Sequence, residues 1–100
     1  MLDKLERSDF EGHVNQRFTI QFTPEHELVA VLIQVDEINS DSVLPRKPFS
    51  LLFETKQTDQ YYTQGIYSVK HHELGMMEIF LVPMGFDVVS NCMRYEAVFS

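Results

Sequence analysis

From residue 17 onward, polar and apolar side chains alternate with a period of two, the spacing a strand needs to turn one face to a core and the other to water. Phe18, Ile20 and Phe22 alternate with Arg17, Thr19 and Gln21, and Pro24 closes that segment. In the next run Val29, Val31, Ile33 and Val35 share one face while Leu28, Ala30 and Leu32 share the other. Apolar side chains on both faces predict a central strand, covered on each side for much of its length. Glu37 to Lys47, with Asn39, Ser40, Asp41, Ser42 and Pro45, has the composition of a loop. A third strand runs through Phe49, Leu51 and Phe53 and gives way to the polar segment Thr55 to Gln64.

The second half of the chain repeats the pattern. A fourth strand, Ile66 to His71, and a fifth, Met76 to Val82, are separated by His72, Glu73, Leu74 and Gly75. So short a connection, ending in a glycine free to take a positive φ, predicts a hairpin. Pro83 and Gly85 are expected to end the fifth strand. The last strand, Met93 to Phe99, alternates Met93, Tyr95, Ala97 and Phe99 with Arg94 and Glu96. Ahead of the strands the period is helical. Ser8 and Glu11 have the spacing of a capping box, and Phe10 and Val14 fall on one face at i,i+4, which predicts a short helix over 8–14. Leu2 and Leu5 extend that spacing backward, and Gly12 weakens it. One short helix and six strands give a mainly β domain, an antiparallel six-stranded barrel or sandwich, with residues 1–100 as a single domain. Pattern alone leaves barrel and sandwich open.

Composition narrows the function classes. With 44% hydrophobic residues and eight Phe, the chain has enough apolar surface for one core without disulfide or metal staples. The net charge of −7, spread over both halves, lacks the positive footprint that a phosphate backbone requires, so no nucleic-acid partner is expected. No apolar run approaches the roughly 20 residues of a membrane span. The N-terminal residues show no apolar signal region, so a cytoplasmic location and no membrane partner are expected. Cys92, the single cysteine, permits no intrachain disulfide.

Candidate chemistry is sparse. His71, His72 and Glu73 would ligate a metal if His13 or the Glu25, His26, Glu27 group were brought to them, but their spacing matches no zinc signature, and adjacent strand residues point to opposite faces. Cys92 paired with a histidine would need a positive surrounding to become a nucleophile, and only Arg94 is near in sequence. No catalytic residue, metal site or cofactor is therefore expected. Tyr61 and Tyr62, in a polar loop, and Phe86, between Gly85 and Asp87, are the candidate partner-binding aromatics. The rival readings are a ligand pocket inside a barrel lined by Phe18, Phe22, Phe49, Phe53, Phe80 and Phe99, and a metal-dependent enzyme using the His and Glu clusters.

The motif series PFSLLFE (48–54), QGIYSVKHHELG (64–75), FLVPMG (80–85) and RYEAVF (94–99), preceded by DFEGHVNQRF (9–18), resembles an uncharacterised family of small bacterial domains. That resemblance implies a non-enzymatic accessory or assembly role beside fibre-like, tail-collar-like structural proteins of phage-derived systems, and it supplies no catalytic residue. The expected partner is thus another protein, bound either by an open sheet edge or by a patch built from the loops 37–47 and 55–64. A homodimer is also compatible with the pattern.

Overall fold

The computed structural model describes residues 5–38 and 48–99. Along them run α1 (Arg7–Glu11), β1 (Arg17–Thr23), β2 (His26–Glu37), β3 (Phe49–Glu54), β4 (Gly65–His71), β5 (Gly75–Phe86) and β6 (Met93–Phe99). Each strand pairs antiparallel with two neighbours in the order β1-β2-β3-β6-β5-β4, and the β1–β4 ladder closes the ring into a barrel. Closure decides between the two architectures left open by the sequence. It also removes the open edge expected to receive a partner strand, because every strand has a ladder neighbour on both sides.

The alternation of β1, β3 and β6 is realised as read. Phe18, Ile20 and Phe22, then Phe49, Leu51 and Phe53, then Met93, Tyr95, Ala97 and Phe99 all point inward and are buried. β2 differs from expectation. Ala30 and Leu32 are fully buried, whereas Val29 is about half exposed, so the strand is not covered on both sides. A bulge between Leu32 and Gln34 then inserts one extra residue, shifting the inward position to Val35, which packs against the core. β5 also departs from the reading. It continues through Pro83 and Gly85 to Phe86, because a second bulge between those two residues absorbs the missing Pro N–H and the positive φ of Gly85. Gly75 takes the positive φ expected of the β4–β5 hairpin.

Phe80 is the one mistaken member of the aromatic lining. Met77, Ile79 and Leu81 are the inward residues of β5, so Phe80 stands on the outer wall, half exposed. The remaining phenylalanines fill the interior by ring contact: Phe18 on Phe53 at 5.3 Å between centroids, and Phe49 stacked on Phe99 at 4.7 Å.

α1 closes one mouth. It is shorter than predicted and starts earlier: Glu6 is the N-cap, and Glu6 and Asp9, rather than Ser8 and Glu11, form the capping box. Gly12 ends the helix, so Val14 lies in the following turn. Five residues make too short a helix to persist alone. It is held by Phe10, which is completely buried against the stacked rings of Phe49 and Phe99. Leu2 and residues 39–47, including most of the predicted loop from Glu37 to Lys47, lie outside the described residues.

Candidate functional site

At the helix-plugged mouth, the turn after α1 lays His13 and Gln16 against the end of β4. His71 faces inward there, its ring 4.6 Å from Phe18 and 4.4 Å from each of His13 and His72. Three of the four histidines and Glu73 thus meet in space, while Glu25, His26 and Glu27 sit at the β1–β2 hairpin, where the His26 ring bonds the Tyr62 hydroxyl. The hydrogen bonds fix the role of His71. Its Nδ1 accepts from the backbone N–H of Glu73 (3.1 Å) and Leu74 (3.3 Å). Its Nε2 must therefore carry the proton in the neutral ring, donated to Gln16 Oε1 at 2.8 Å. The same oxygen accepts from His13 Nδ1 at 2.8 Å. With one nitrogen accepting and the other donating, His71 has no lone pair left for a metal. Among the described residues no group of three or more His, Cys, Asp or Glu side chains is arranged to hold one. The cluster is a tie between the α1–β1 turn and the β4–β5 turn.

This tie is pH-sensitive in a definite direction. Burial lowers the His71 pKa from its ordinary 6.5, the His13 and His72 rings lower it further, and Glu73 opposes them. The unfolded chain then takes up a proton that the folded chain resists, so His71's contribution is complete above pH 6.5 and is lost as the pH falls below it. Comparing urea midpoints at pH 7.5 and 5.5 is expected to show a drop for the wild type. His71→Asn, whose Oδ1 can take over from Nδ1 as acceptor but cannot titrate, should show a smaller one; equal drops would exclude His71 as the source.

At the opposite mouth, Tyr95 is buried and its hydroxyl donates to Gln57 Oε1 (2.7 Å) while accepting the N–H of Tyr62 (2.9 Å). Burial raises the Tyr95 pKa. Tyr62 stacks on Phe22 at 4.4 Å, so of the two loop tyrosines it is folded onto the barrel, and only Tyr61, 58% exposed, is presented to solvent.

The third sequence candidate, Phe86, lies in a richer setting. The β5–β6 loop carries Val88 and Val89 at 96% and 92% exposure, next to the exposed Met84 and Phe86. The loop is held from below. Asp87 Oδ2 accepts the N–H groups of Val89 (3.0 Å) and Ser90 (2.8 Å), and Oδ1 lies 3.2 Å from Arg94. Ser90 Oγ and Arg94 Nε both reach Glu54. The Ser90 backbone bond is the leading cause of a lowered Asp87 pKa, reinforced by Val89 and Arg94 and opposed by burial. Cys92, partly buried, points its thiol to the Ser90 carbonyl at 3.5 Å. The outer wall continues the apolar theme. Ile66 on β4 pairs with Phe80 on β5, Val98 follows on β6, and all three are exposed.

Sequence reading missed Val88, Val89, Ile66 and Val98. The available signal was an apolar pair inside a segment of turn composition, Asp87 to Asn91, where burial has no periodic face to explain it.

Fold and surface together define a closed, helix-plugged antiparallel barrel whose interior is packed with aromatic rings and whose surplus apolar residues lie outside. A family model for a domain of unknown function, DUF6916, matches residues 5–99, and the chain belongs to that family. No curated protein and no solved structure matches the chain. No helix among the described residues is long and apolar enough to cross a membrane.

Proposed function

We propose that the protein is a non-enzymatic accessory module that binds another protein through its β5–β6 loop and the adjoining outer wall. One observation carries this reading: two neighbouring valines almost wholly in water, on a loop whose backbone is held by Asp87, itself paired with Arg94. Single exposed apolar residues are ordinary, but a contiguous set is a mark of interaction surfaces. A loop already ordered in the free protein loses little entropy on binding, which favours affinity. The motif resemblance supplies the partner class, a fibre-like or tail-like structural protein. The rival reading of a ligand cavity inside the barrel loses support from the ring contacts that fill it.

The test is affinity capture from extract of the native host, comparing the wild type with the double variant Val88→Ser, Val89→Ser. Neither side chain packs in the fold, so thermal unfolding should be unchanged. Capture of the wild type's partner should fall by about 30-fold, the size of one interface hot spot of roughly 2 kcal/mol. Undiminished capture by the variant would overturn the assignment of the surface. Failure of the wild type to retain any protein specifically would overturn the module itself.

A further inference from the structure

We infer that the groove beside this loop receives a basic segment of the partner carrying an apolar anchor, an inference that rests on the protein-binding reading. The groove, about 460 Å³ in volume, lies over the outer faces of β2, β3 and β6 and is walled by the end of β5 and the loop. Its apolar part is Leu52 from β3, with Met84, Phe86 and Val88 opposite. The bulge at Gly85, with φ +105°, is what takes this end of β5 out of the regular pleat.

Its charge is one-sided. Among the described residues Asp36, Asp87 and Glu96 line it, against the guanidinium of Arg94. Arg94 is already held by two carboxylates, Glu54 at 2.9 Å and Asp87 at 3.2 Å. Asp36 takes a hydrogen bond from Gln34, and neither Asp36 nor Glu96 has an ion-pair partner among the described residues. Two carboxylates with no ion-pair partner among the described residues, beside an apolar strip, complement a segment in which an apolar side chain is flanked by Lys or Arg. They disfavour a second copy of this chain, which would bring the same acidic groove and a net charge of −7.

Selection from a random-peptide display library against the full chain tests this directly, followed by synthesis of the enriched peptides and mapping of their contacts by nitrogen-15 amide shifts. The expected peptides carry Lys or Arg on either side of an apolar residue, shift Leu52, Met84, Val88 and Glu96, and bind more weakly as salt is raised. Asp36→Lys and Glu96→Lys, both at solvent-facing positions, should each weaken binding about fivefold while leaving the unfolding temperature unchanged. Enriched peptides that seat in the groove without basic residues, and that ignore both charge reversals, would overturn the partner's chemistry while sparing the binding module. Peptides that map to Tyr61 or to the Ile66, Phe80 and Val98 row would overturn the groove as the site. Concentration-dependent self-association that shifts the groove amides would also overturn the inference, in favour of a homodimer. An empty selection would overturn it too, and the host-extract capture then decides separately whether the module reading survives.

Discussion

Phe10→Ala is expected to destabilise the protein by about 3–5 kcal/mol, the usual cost of emptying a buried phenylalanine site. Phe10 is completely buried against Phe49 and Phe99, whereas the other four side chains of α1 are exposed. Arg7 pairs with Glu11 and reaches Glu37 at 3.4 Å, but all three side chains are more than a third exposed, and such pairs contribute about 0–1 kcal/mol. Domains of this size have only about 5–15 kcal/mol in total, so the variant should melt about 15 °C lower or more. Amide exchange in residues 7–16 should rise beyond the global change, since a five-residue helix without its anchor has no reason to stay formed. An unfolding temperature within a few degrees of the wild type would mean that the plug is dispensable.

Tyr95→Phe should cost about 1–3 kcal/mol although it removes a single oxygen. That oxygen donates to Gln57 and accepts from the backbone of Tyr62, so its loss leaves the part-buried Tyr62 N–H unmatched at the far mouth and leaves Gln57 Oε1 with only the Thr55 hydroxyl at 3.2 Å. Gln57 in turn joins β3 to β6, its carbonyl accepting the N–H of Met93 at 2.9 Å. The segment that follows β3 should loosen, which proteolysis between residues 57 and 64 would report. A variant with wild-type urea midpoint and wild-type resistance to cleavage would show that the hydroxyl holds nothing in place.

Strands with one polar and one apolar face were legible from the chain. β1, β3 and β6 each combine regular alternation with charged or amide residues on the outer side, so their inward faces follow from the pattern. β5 was not, because Met76, Phe80 and Val82 are apolar on the face that turns outward, and only Glu78 marks it. A register that sends Met77, Ile79 and Leu81 inward is set by the β4–β5 hairpin and its ladder, which periodicity does not encode. The bulges in β2 and β5 broke the reading for the same reason: one inserted residue exchanges the faces beyond it. Closure depended on β1–β4 and β3–β6 pairings between segments distant in sequence, and no local signal specifies those. Of the candidate site, Phe86 was legible as an aromatic in a turn. Val88 and Val89 were signalled only as an apolar pair within turn composition, and nothing local announces the Asp87 bonds to Val89 and Ser90 that hold the loop in water.

The most direct measurement is a nitrogen-15 spectrum of the full chain, with and without the protein captured from the native host. Amide shifts concentrated from Met84 to Val89 and at Leu52 and Glu96, with Phe18 and Leu51 inside the barrel unmoved, are the expected result. Shifts centred on the barrel interior, or on the His13, His71 and Glu73 cluster with the loop unaffected, would contradict a protein that meets its partner through its outer wall.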